Sequence, residues 1–149
     1  MTSWRVWMSA GLVLACAACG AAPPTRPEPV AAAQIARTCA PWDGAAFTVS
    51  VHVGHGVDPA ALPGLQLSVW SSPQFDGERK VVFAEGDDRS GLAFYAETAE
   101  HTTPLTGEAT FRQAADGSIE GTLRLKAADG RRFERRFRGR LDPGTVMCG

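Results

Sequence analysis

The sequence predicts an all-β domain, an antiparallel meander of seven or eight short strands closed as a small barrel, with a β-sandwich as the alternative. Past residue 40, apolar and polar residues alternate with period two in six or seven segments, which is typical of half-buried strands. Asp-Gly pairs, which suit tight hairpins, occur at 43–44, 76–77, 116–117 and 129–130. An open sheet of so many strands would expose its edges, so we expect closure.

Each predicted strand carries one apolar face, and the strands follow one another at short intervals. The first begins near Phe47, and a longer turn at 86–91 separates the middle strands. No window of the domain shows a sustained helical stripe of apolar residues. The residues expected to face the core are Phe47, Val49, Val51, Val53, Leu65, Leu67, Val69, Val81, Phe83, Leu92, Phe94, Ala109, Phe111, Ile119, Gly121, Leu123, Leu125, Phe133, Phe137 and Leu141.

The length and net charge of the chain limit the classes of protein to which it can belong. The chain has 149 residues and a formal net charge of −1 at pH 7, which suits one globular domain. This near-neutral balance argues against a dedicated nucleic-acid binder, so we expect no nucleic-acid partner.

The N-terminal segment has the organisation of a secretory signal. Arg5 precedes an apolar run from Val6 to Ala15 that contains no charge. This run is too short for a transmembrane helix, because crossing the hydrocarbon core takes ~20 apolar residues.

The apolar run ends in Val13-Leu-Ala-Cys16-Ala-Ala-Cys19. This stretch resembles the lipobox of bacterial lipoproteins, which implies lipid attachment to a cysteine and cleavage before it. Cys16 fits the lipobox better, and Cys19 is the alternative. The predicted organisation is therefore a signal peptide at 1–15, a lipid-anchored Pro/Ala-rich tether at 16–37 and a β-barrel-like domain at 38–149, with one or two helical turns allowed at 31–37. No Asp follows either cysteine, so the resemblance implies the outer membrane.

The C-terminal part of the domain carries a second resemblance. A strand around Gly121, the Asp129-Gly130 turn and a Phe-rich strand are followed by Cys148. This hairpin is similar to the C-terminal hairpin of small lipoproteins from GC-rich bacteria such as myxobacteria. The composition agrees with such a source, because Arg outnumbers Lys thirteen to two and Asn is absent. The resemblance implies the fold and the compartment but no specific activity.

Two cysteines frame the predicted domain. Cys39 lies at its start and Cys148 at its end. In an exported protein such a pair predicts a disulfide bond.

Two histidines give the one hint of a metal site. His52 and His55 lie three residues apart, with Asp58 and His101 as further ligand candidates. A small metal-dependent hydrolase that uses His52 and His55 is therefore the alternative function. We expect neither a catalytic residue nor a metal or other cofactor, because no nucleophile elbow, phosphate loop or dinucleotide fingerprint occurs.

Charge is unevenly distributed along the domain. Residues 124–140 include eight basic and two acidic residues, whereas 76–108 include eight acidic and three basic residues. Two interpretations remain: cross-strand pairing of opposite charges, or a basic strip that binds phosphates or anionic sugars. The basic strip consists of Arg132, Arg136, Arg138 and Arg140, which share one strand face. Arg135 has the phase of the opposite, inward face.

Together these patterns predict a non-catalytic, lipid-anchored protein of the bacterial cell envelope with a binding or structural role. Its expected partners are membrane lipid, through the acyl anchor, and an anionic envelope polymer or small ligand.

Overall fold

A computed structural model describes residues 29–54 and 58–149. These residues form eight β-strands and no helix. The strands are β1 (Ala31–Cys39), β2 (Ala45–His52), β3 (Gly64–Val69), β4 (Glu78–Phe83), β5 (Gly91–Ala96), β6 (Thr102–Gln113), β7 (Ile119–Ala127) and β8 (Arg132–Gly139).

Seven of the strands close into a barrel, as predicted. The ring runs β1-β2-β3-β5-β6-β7-β8 and returns to β1, while β4 lies outside the ring and pairs with β6. All pairs are antiparallel except β1–β8, which is parallel. The parallel pair follows from the odd number of strands, because strict alternation of direction cannot close a ring of seven.

The long strand β6 is shared by two neighbours along one edge. β5 pairs with its first part, from Thr102 to Pro104, and β4 pairs with its last part, from Gly107 to Arg112. Residues 84–90 connect β4 to β5 and depart from the sheet between these two pairings. We call this point, where β4 and β5 diverge beside β6, the fork.

The barrel interior is filled by side chains. Phe47, Phe75, Phe111 and Phe137 form an aromatic cluster in which the Phe47 and Phe111 ring centroids lie 5.3 Å apart, edge to face. Gly121 makes room for this cluster, because a Cβ there would meet the Phe137 ring and the Thr110 carbonyl oxygen. The inward phases predicted for β2, β3, β4, β6, β7 and β8 are confirmed by buried residues at the expected positions.

The predicted phase of β5 was wrong. Ala93 is buried and Tyr95 packs against the core, whereas Leu92 is 38% exposed and Phe94 is half-buried. The strand reads Gly-Leu-Ala-Phe-Tyr-Ala, so both faces are apolar and the period-two pattern does not distinguish them. Small Ala93 and the Tyr95 ring, which stacks on Phe133 at 5.0 Å, fit the space inside the barrel.

The predicted start of the domain was also wrong. β1 begins at Ala31, so residues 31–37 belong to the barrel and form neither a tether nor a helical turn. Ala33 and Ile35 are buried, and β1 pairs with β2 from Ala33 to Cys39. The alanine-rich sequence is not distinctively β, and its strand conformation comes from lying between β2 and β8.

The predicted disulfide is confirmed. Cys39 and Cys148 are bonded, with their Cα atoms 5.6 Å apart. After β8 the chain continues alongside β1, where Leu141 bridges Ile35 and the Asp142 amide donates a hydrogen bond to the Ile35 carbonyl at 2.7 Å. The bond therefore joins the last residues of the chain to the end of β1.

Candidate anionic-ligand surface

The outer face of strands β4, β6, β7 and β8 is organised in rows of charged residues that run across the strands. In the first row, the strand register places Glu78, Arg112, Glu120 and Arg138 side by side. Arg112 forms an ion pair with Glu120. Opposite charges alternate along this row, which supports the cross-strand pairing interpretation there.

A second row centres on Glu108 and Arg124. The Arg124 guanidinium lies 3.0 Å from the Glu134 carboxylate and 3.7 Å from that of Glu108, which also pairs with Lys80. The Lys80 ammonium, through a hydrogen bond, lowers the pKa of Glu108. Hydrogen bonding to Glu134 raises the pKa of Arg124. The carboxylates of Glu108 and Glu134 are thus already ion-paired with Lys80 on β4 and Arg124 on β7.

Arg138 belongs to a small network at the β6–β7 turn. Its Nη2 lies 3.0 Å from Asp116 Oδ2, and its Nε donates to Ser118 Oγ at 2.8 Å. The Ser118 hydroxyl also donates to Asp116 at 2.6 Å, and with the Ser118 amide and Arg138 it lowers the pKa of Asp116 to about 2. Sequence reasoning missed this role of Asp116 and Ser118, although Asp-Gly-Ser at 116–118 is a recognisable turn signal. Arg138 is therefore held in place by an acid.

The other members of the basic strip differ from Arg138. Arg132, Arg136 and Arg140 are exposed, and within the described parts of the chain none of the three forms an ion pair. The cross-strand neighbours of Arg136 and Arg132 on β7 are Thr122 and Lys126, respectively, neither of which is acidic. At ~3.4 Å per residue, the strip from Arg132 to Arg140 extends for about 27 Å. It therefore presents three uncompensated guanidinium groups along one edge of the charged face.

Arg135 differs from the strip, as its phase predicts. Arg135 is partly buried and lies opposite Leu123 in the register, on the inward side of β8. Its Nη1 donates a hydrogen bond to the Glu134 carbonyl at 2.8 Å. The alternation along β8 thus separates one partly buried arginine from the exposed ones.

The structure describes only some residues of the candidate metal site. His52 Nδ1 lies 3.0 Å from the Ala61 carbonyl, which orients the ring as the N–H donor of a local hydrogen bond. His55 lies outside the described residues. Among the residues that are described, no group of three His, Cys, Asp or Glu side chains could hold a metal ion. The hydrolase that would use His52 and His55 remains a prediction.

The two lipidation candidates, Cys16 and Cys19, also lie outside the described residues. Over residues 29–54 and 58–149, no helix is long and apolar enough to cross a membrane. Comparison of the chain with protein-family models, curated proteins and solved structures finds no match.

Proposed function

We propose that this chain is a non-catalytic, lipid-anchored protein of the bacterial cell envelope, whose barrel uses the basic strip to bind an anionic envelope polymer. The signal-like N-terminus and its resemblance to a lipobox support export and anchoring. The Cys39–Cys148 bond supports an oxidising compartment. The tightly filled barrel supports binding at the surface over binding of a ligand inside the barrel.

The observation that carries the proposed binding is the difference between the strip and its surroundings. Glu108, Glu120 and Glu134 are each engaged by a base outside the strip. Arg132, Arg136 and Arg140 therefore keep their positive charge available to an external anion. Arginine suits this task because its planar group binds carboxylates and phosphates in a bidentate manner.

Anchoring is tested on the full-length chain, expressed in a bacterium that processes lipoproteins. We expect the protein in the membrane fraction, with acyl mass on its N-terminal peptide. Cys16→Ala should abolish that mass, and Cys19→Ala should preserve it if Cys16 is the modified residue; the reverse pattern assigns Cys19. An unmodified, signal-cleaved protein in the soluble fraction would refute the anchor.

The strip is tested with the full-length protein in bilayer discs of neutral lipid. Polygalacturonate serves as the anionic polymer and dextran as the neutral one. Replacement of Arg132, Arg136 and Arg140 by Gln should weaken polygalacturonate binding by about tenfold, which corresponds to ~1.4 kcal/mol shared by three contacts. Wild-type binding should also fall as salt is added.

The matched control is Arg89→Gln, an exposed arginine in the β4–β5 connection outside the strip. It should leave polymer binding unchanged, and both variants should melt close to the wild type, because exposed charges contribute ~1 kcal/mol or less each. Binding that is absent, indifferent to salt or equally weakened by Arg89→Gln would leave the strip as ordinary surface charge.

A further inference from the structure

A cleft of about 660 Å³ lies at the fork. It exists because β4 and β5 pair with different parts of β6, and residues 84–90 depart between them. Its volume falls within the ~300–1,000 Å³ of pockets that bind small molecules. The basic strip does not line it.

The cleft has apolar walls. Leu92 and Phe94 on β5 and Pro104 on β6 project outward beside it, and Phe94 lies directly opposite Pro104 in the register. The buried residues Phe83 and Leu105 also line the cleft. Leu92 is left 38% exposed, although burial of an apolar side chain of this size is favourable.

One end of the cleft is basic. Lys126 lines it and also lines an adjoining hollow of about 330 Å³, which reaches Arg132. Within the described residues Lys126 forms no ion pair, whereas Arg124 nearby is engaged by Glu134 and Glu108. Of the residues that the structure describes, Glu85 is the one acid that lines the cleft. The site therefore combines an apolar surface with an ammonium group at the side nearest Arg132.

We propose that this cleft binds an anionic amphiphile with a single apolar chain, of the fatty-acid type. The chain lies against Leu92, Phe94 and Pro104, and the carboxylate pairs with Lys126. This is a second binding site, and it does not depend on the polymer binding proposed for the strip.

The proposal is tested by titrating octanoate into the full-length protein in neutral bilayer discs, with empty discs subtracted. Octanol tests the apolar contact without the charge, and octylammonium tests whether Glu85 dominates instead of Lys126. We expect octanoate to bind best of the three. Lys126→Gln should weaken octanoate binding at least fivefold and leave octanol binding unchanged. Leu92→Gln should weaken both ligands to a similar degree.

The matched control for Leu92→Gln is Val82→Gln. Val82 is 53% exposed on β4 and does not line the cleft, so its replacement should leave octanoate binding unchanged. Replacement of Arg136 and Arg140 by Gln should weaken polygalacturonate binding and spare octanoate, which separates the two sites. The proposal is overturned if the wild type binds no octanoate, if octylammonium binds more tightly, or if Lys126→Gln and Val82→Gln have equal effects.

Discussion

Removal of the Cys39–Cys148 bond should lower the stability of the barrel substantially. The two residues are separated by 109 positions, so the bond closes a loop as long as the domain. On the chain-entropy model, cross-linking a loop of this length restricts the unfolded chain and contributes about 5 kcal/mol at 25 °C. For a domain of this size, that corresponds to a lower melting temperature by about 15–20 °C.

The assay is thermal unfolding followed by circular dichroism, with and without reductant. The double variant Cys39→Ala/Cys148→Ala should melt lower than the oxidised wild type, and reductant should bring the wild type to the same temperature while leaving the variant unchanged. A second variant that ends after Pro143 lacks Cys148 but keeps the contacts of Leu141 and Asp142 with β1. It should melt close to the double variant.

Either of two results would refute this reasoning. A double variant within about 4 °C of the oxidised wild type would mean that closure contributes ~1 kcal/mol or less. A truncated variant that melts far below the double variant would contradict the assignment of the tail's whole contribution to the bond, because residues 144–149 would then also stabilise the barrel through other contacts.

Two other perturbations test the core and the turn network. In chemical denaturation, Gly121→Ala should destabilise the barrel by ~1–3 kcal/mol or more, because the added Cβ would overlap the Thr110 carbonyl and the Phe137 ring. The control, Gly144→Ala in the exposed tail, should be nearly neutral. Equal effects would contradict the close packing described around Gly121. Asp116 has a folded-state pKa lowered from 3.8 to about 2, so its stabilising effect should be complete above pH 3.8 and be lost as the pH falls towards 2. The melting-temperature difference between wild type and Asp116→Asn should shrink over that range, and a difference that grows on acidification would refute the assigned network.

Most strands were predictable because their two faces differ chemically. β2 alternates apolar and polar residues, and the outward arginines of β8 alternate with Phe133 and Phe137. Such strands have one register that buries the apolar side, so a single sequence defines their orientation. The Asp-Gly pairs added the positions of several turns.

The errors occurred where this difference is missing. β5 is apolar on both faces, and β1 is rich in alanine, so neither pattern states which side faces inward or even that β1 is a strand. Their placement depends on partners distant in sequence: β1 pairs with β8, and β5 pairs with β3. The fork could not be predicted from the sequence either, because it forms where β4 and β5 pair with different parts of the same edge of β6.

Residues with the same strand phase do not all have the same ion-pair partners. Arg132, Arg136 and Arg138 have the same phase in β8 and Arg140 follows the strand, yet Arg138 has Asp116 as a partner and the others have no acidic partner in the described chain. Strand periodicity gives the face of a side chain, whereas ion pairing depends on turns and on neighbouring strands.

The position of β1 in the ring has a mechanical consequence. β1 lies between β2 and β8, its register with β2 extends from Ala33 to Cys39, and its far end is bonded to Cys148. A force applied to the chain before Ala31, along the direction of the strand, would load the β1–β2 hydrogen bonds together in shear instead of opening them one at a time. A barrel held from this side would resist extraction of its first strand, and the covalent link at Cys39 would stop β1 from sliding out after those hydrogen bonds had failed.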